Sequence, residues 1–87
     1  MTQKAVEIKL QNGLEARPVA VLVQVASKYE STIYLEAEGK RINAKSIMGM
    51  MSLGMKSGES VVVSANGNDE ESAVKEIEQF LSGVEAE

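Results

Sequence analysis

Thr32-Ile33-Tyr34-Leu35-Glu36-Ala37-Glu38-Gly39-Lys40-Arg41-Ile42-Asn43 is the stretch on which the fold turns. Ile33, Leu35 and Ala37 alternate with Thr32, Tyr34 and Glu36, the period of two expected of a strand with one face against a core. Glu38-Gly39 breaks the alternation, and Lys40 to Asn43 returns. The segment therefore reads as a β-hairpin closed by a tight turn.

On the N-terminal side, Val6, Ile8 and Leu10 alternate with Glu7, Lys9 and Gln11, predicting another half-buried strand that ends at Asn12-Gly13. Pro18 suits the first turn of a helix running from Ala16 to about Lys28. On the C-terminal side, Ser46 to about Leu53 suits a short helix opened by a serine cap. Ser60 to Ala65, with Val61, Val62 and Val63, reads as a β-branched strand, and Asn66-Gly67-Asn68 as a turn. Asp69 is expected to cap a last helix in which Ala73, Val74, Ile77 and Leu81 recur at helical spacing. The order is β-α-β-β-α-β-α. One antiparallel sheet with its helices on a single face, an α+β open-faced sandwich, is the layered solution for that order.

Composition bounds the function classes. Eighty-seven residues suit one domain, near the low end of what folds without disulfides or metals. The chain has no cysteine, which removes disulfides and thiolate metal sites and points to the cytoplasm. Nine basic and thirteen acidic residues give a net charge of −4, which disfavours direct nucleic-acid binding. The longest aliphatic run, Val19 to Val23, is too short for a bilayer, and Met1 to Lys4 leads into polar alternation rather than a signal segment. No membrane association is expected.

Two short segments carry more specific chemistry. Gly13-Leu14-Glu15-Ala16-Arg17-Pro18 resembles the active-site segment of HPr, the phosphocarrier family of the bacterial sugar phosphotransferase system. Asn43-Ala44-Lys45-Ser46-Ile47-Met48-Gly49 is similar to the regulatory serine segment of the HPr of low-GC Gram-positive bacteria. The resemblance runs from about Val6 to about Leu81 and implies the same open-faced sandwich. The family's phosphorylatable histidine corresponds to Glu15, and the chain contains no histidine at all. A kept serine with a lost histidine resembles the catabolite-repression branch of the family, whose members carry a neutral glutamine at this position.

Glu15 cannot take the histidine's place. Imidazole is a nucleophile near neutral pH, and its phosphoramidate passes the group on readily. A carboxylate is a weak nucleophile for phosphate. The helix N-terminus and Arg17 would also hold it ionised in the anion site. Glu15 is thus read as a lost phosphocarrier position, against the plainer reading of a solvated acid near a helix start. Ser46, which on residues alone is a plain helix cap, is by resemblance the regulatory phosphorylation site. A phosphate at a helix N-terminus meets free amides and adds charge and acceptor oxygens without disturbing the fold.

At 100° per residue, Ile47, Met48 and Met51 share one side of the short helix, opposite Met50 and Leu53. One side is expected to be buried and the other to form an exposed apolar patch beside Ser46; the alternative is a helix buried all round. By resemblance the family's contact face adds Arg17, Ala20 and Gln24 from the first helix and Ser52 from the second, next to Glu15.

No residues suggest catalysis, a metal or another cofactor. Gly49, Gly54 and Gly58 form no phosphate loop, and Asp69-Glu70-Glu71 reads as an acidic helix start. The resemblance implies a regulatory binding module rather than an enzyme. Phosphorylated on Ser46 by HPr kinase/phosphorylase, it would act as corepressor of catabolite control protein A, a LacI-type repressor. Two alternatives stay open: a phosphocarrier or a carrier-inactive variant of one, and a phosphorylation-independent module for a metabolic enzyme. Exchange of the first strand between two copies, hinged at Asn12-Gly13, is also left open.

Overall fold

A computed structural model describes residues 1–10 and 16–83. Strands β1 (Thr2–Glu7), β2 (Thr32–Ala37), β3 (Lys40–Asn43) and β4 (Ser60–Asn66) form one antiparallel sheet in the order β1-β4-β2-β3. Helices α1 (Ala16–Ser27), α2 (Ile47–Met51) and α3 (Glu70–Leu81) cover one face of it. This is the expected β-α-β-β-α-β-α sandwich.

The hairpin is built as its sequence indicates. Leu35 pairs with Ile42 and Ala37 with Lys40, leaving Glu38 and Gly39 as a two-residue loop. Both take positive φ, 52° and 79°, the left-handed pair that matches the twist of the flanking strands. Ile33 and Leu35 are fully buried, and so are their β4 neighbours Val63 and Ala65. Helix α1 adds Val19, Leu22, Val23 and Ala26 to the core, and α3 adds Ala73, Val74, Ile77 and Leu81. These apolar stripes recur every three or four residues, as a helix lying on a sheet requires.

The first strand lies earlier than its apolar alternation indicates. Val6 and Ile8 do enter the core, and Leu10 is half-buried. Yet pairing with β4 runs from Thr2↔Ala65 to Glu7↔Ser60. From Ile8 the backbone turns to other partners. Ile8 N–H donates to the Glu59 carbonyl at 2.8 Å, and Lys9 N–H to the Leu81 carbonyl at the end of α3 at 2.8 Å. The start of β1 is drawn into the sheet by the unpaired edge of β4, because ladder hydrogen bonds do not depend on side-chain polarity. Its inward polar residues meet the flank of α3: Thr2 Oγ1 donates to Glu70 Oε2 at 2.6 Å, and Lys4 pairs with Glu78 at 2.9 Å.

Asp69 precedes α3 as expected but does not cap it with its side chain. Its carboxylate instead accepts from the Glu30 N–H at 2.9 Å, the Ser31 N–H at 3.0 Å and the Ser31 hydroxyl. These bonds hold its pKa below the ordinary carboxylate value, the Ser31 hydroxyl contributing most. Asp69 thus fastens the loop after α1 to the start of α3.

Candidate regulatory surface

Ser46 stands exposed at the N-cap of α2 with extended backbone, φ −107° and ψ 113°. Its Oγ accepts from the Gly49 N–H at 3.1 Å, while its carbonyl accepts from the Met50 N–H at 2.9 Å. The serine therefore satisfies one of the helix's free donors and directs its hydroxyl oxygen to the helix N-terminus. Gly49 makes room for this arrangement. A Cβ there would lie 2.9 Å from Ile42 Cγ2 and 3.2 Å from Ser46 Oγ. At the other end, Ser52 donates through Oγ to the Gly49 carbonyl at 2.6 Å.

The segment before Ser46 is tied down at three points. Ala44 is fully buried and donates its N–H to the Ile33 carbonyl at 2.9 Å. The Asn43 side-chain oxygen accepts from the Lys45 N–H at 2.8 Å. Lys45 Nζ reaches the Tyr29 carbonyl, just past α1, at 2.7 Å. Sequence reasoning did not single out Asn43 and Lys45 as positioning residues. The Asn43 contact has a local signature, since asparagine commonly bonds the backbone two residues on. The Lys45 contact has none, because Tyr29 is distant in sequence.

Two faces of α2 separate as expected. Met50 is fully buried and Leu53 packs against the core, whereas Met48 is 84% exposed and Ile47 and Met51 about half exposed. Helix α1 packs beside α2 and presents Arg17, Ala20 and Gln24 to solvent. Val21, on the same outer side of α1, is exposed as well, and no sequence motif points to it. The structure thus places Ile47, Met48 and Met51 on one short helix capped by Ser46 and Ser52, and Arg17, Ala20 and Gln24 on its neighbour. No hydrogen bond joins Arg17 to Ser46 among the described residues. Glu15 lies outside the described residues. Chemically, the surface offers an exposed hydroxyl at the start of α2, an exposed cation on neighbouring α1 and flexible apolar side chains suited to varied partner shapes. Among the described residues, no three His, Cys, Asp or Glu side chains cluster as a metal site.

Comparison with known proteins gives a consistent result. Residues 2–83 match the family described as PTS HPr component phosphorylation site. The chain is 47% identical to the HPr-like protein Crh of Halalkalibacterium halodurans over 93% of this chain and 96% of that protein. The crystal structure of phosphocarrier protein HPr from Bacillus anthracis superposes with a TM-score of 0.90 at 41% identity, covering 92% of this chain and 95% of that one. Crh of Bacillus subtilis, a swapped dimer in its crystal, matches with a TM-score of 0.80 at 41% identity over the whole of both chains.

Proposed function

Given that the chain belongs to the HPr family of the phosphotransferase system, we propose that it is a regulatory HPr-like protein without phosphocarrier activity. Proteins of this family are phosphocarriers and regulators, not enzymes. The single observation that carries the regulatory reading is a combination: the chain has no histidine, yet Ser46 stands exposed beside the Ile47, Met48 and Met51 patch. Both carriers and Crh proteins share this fold, so fold alone does not separate them. The missing imidazole does, because the carrier step needs a nucleophile that Glu15 does not supply.

In this reading HPr kinase/phosphorylase transfers phosphate to Ser46 Oγ. The new group adds nearly two negative charges and three acceptor oxygens. The patch around Met48 and the exposed Arg17, Ala20, Gln24 and Ser52 dock on catabolite control protein A, while basic partner side chains hold the phosphate. The domain would act in the cytoplasm as a corepressor and touch no DNA itself. The relationship to Crh supports this reading, as does the absence, among the described residues, of any helix long and apolar enough to cross a membrane.

Titrating the repressor with phosphorylated and unphosphorylated protein tests the proposal. Binding only of the phosphorylated form is expected. Equal binding of both forms would overturn the switch and favour a phosphorylation-independent module. Glu15→His should introduce phosphoenolpyruvate-dependent phosphorylation that the native chain lacks. Equal phosphorylation of the native chain would contradict the lost-carrier assignment. The swapped Crh dimer also supports exchange of β1 between copies of this chain, which light scattering across a concentration series would detect.

A further inference from the structure

The face of the sheet opposite the helices carries a second feature, unrelated to Ser46. By strand register, Thr32 lies opposite Asn66 and Tyr34 opposite Ser64, all directed away from the core. With Arg41 from β3, these five side chains line a cavity of about 250 Å³, walled by Met1 and Ala65. It is a little smaller than the usual range of ligand sites, ~300 to 1,000 Å³. Ser64 forms a nearly buried floor, only 6% exposed.

Arg41 gives the cavity its charge. Its direct cross-strand neighbour is Glu36, yet its guanidinium carbon sits 4.2 Å from the centroid of the Tyr34 ring. Among the described residues, no carboxylate lies within 4.0 Å of it. Stacking on an aromatic face orients a guanidinium while leaving its in-plane N–H groups free. In a chain of net charge −4, a cation stacked on a ring, without an ion pair among the described residues and beside hydroxyls, is an unused binding group.

We infer that this cavity binds a small phosphate monoester bearing hydroxyl groups. Arg41 would grip the phosphate with its planar fork. Thr32, Tyr34 and Ser64 supply hydroxyls and Asn66 an amide, groups able to donate to and accept from the ligand's own hydroxyls. The exposed rim and modest size fit weak, millimolar recognition of a metabolite rather than tight cofactor binding.

Amide NMR spectra of the full chain, titrated separately with glycerol 3-phosphate, inorganic phosphate and glycerol, test this assignment. Glycerol 3-phosphate should give saturable shifts at Thr32, Tyr34, Arg41, Ser64 and Asn66. Glycerol should give none, and inorganic phosphate should bind at least threefold more weakly than the ester. Arg41→Gln should weaken ester binding at least tenfold with an unchanged unfolding midpoint, and Arg41→Lys should fall between. Absence of saturation, undiminished binding by Arg41→Gln, or shifts centred on Arg17 or Ser46 would overturn the site. Equal affinity for inorganic phosphate and the ester would overturn the role given to the hydroxyls.

Discussion

Lys45 Nζ donates to the main-chain carbonyl of Tyr29 at 2.7 Å, tying the residue before Ser46 to the chain leaving α1. The contact joins the segment before α2 to the chain just past α1, and so helps hold α2 in place. Lys45→Met keeps the stem but removes the donor, leaving a partly buried carbonyl short of a partner. Loss of about 1 kcal/mol is expected. Thermal unfolding should show a midpoint lower by roughly 4–8 °C, the shift per kcal/mol for a chain of this size. An unchanged midpoint would show that α2 is held by packing alone.

Met48 and Met50 lie two residues apart and should respond very differently to truncation. Met50 is fully buried, so Met50→Ala should cost about 2–5 kcal/mol in urea unfolding. Met48 is 84% exposed, so Met48→Ala should change stability by less than about 0.5 kcal/mol. Its effect belongs in the repressor-binding assay, where weaker binding is expected.

Glu38 is a non-glycine residue in the left-handed region, at φ 52°. That conformation costs a residue with a Cβ about 1–2 kcal/mol, and asparagine tolerates it better. Glu38→Asn should therefore stabilise the domain by about 0.5–1 kcal/mol, measured as a higher denaturant midpoint. A loss of stability would contradict the turn geometry.

The acid limb of stability should trace to α3. The Thr2 hydroxyl, the Gly67 N–H and the terminal ammonium hold Glu70 down to about 2 from an ordinary 4.5. Asp69 and Glu76 are shifted down as well, mainly by the hydroxyls of Ser31 and Tyr29. A carboxyl whose pKa is lower folded than unfolded stabilises above the unfolded value and loses that contribution as pH falls toward the folded one. Stability should fall between about pH 4.5 and pH 2, and Glu70→Gln should flatten that slope. Tyr29 is pushed up to about 12, chiefly by donating to Glu76. Its neutral form is the stabilising one, so its contribution should disappear as pH rises from 10 to about 12.

What the sequence disclosed and withheld follows from the range of each interaction. The hairpin, the α3 stripe and the division of α2 into buried Met50 and exposed Ile47, Met48 and Met51 are local periodicities, and all three were legible. Helix α1 ends at Ser27, one residue short of the expected Lys28. Strand β1 lies earlier than the alternation indicates because the hydrogen-bonding edge of β4, not the Val6-Ile8-Leu10 pattern, selects Thr2 to Glu7. Asp69 reads as a side-chain cap in sequence because its actual partners, Glu30 and Ser31, lie nearly forty residues away. For the same reason, Lys45 and the Tyr34–Arg41 pair emerge only once strands and helices are assembled.

Ser46 is proposed as a phosphorylation switch in a protein that has lost its carrier histidine. Intact mass after incubation with HPr kinase/phosphorylase and ATP, with Ser46→Ala in parallel, tests it most directly. A gain of one phosphate by the native chain and none by the variant is expected. No gain in either protein, or an equal gain in both, would contradict it.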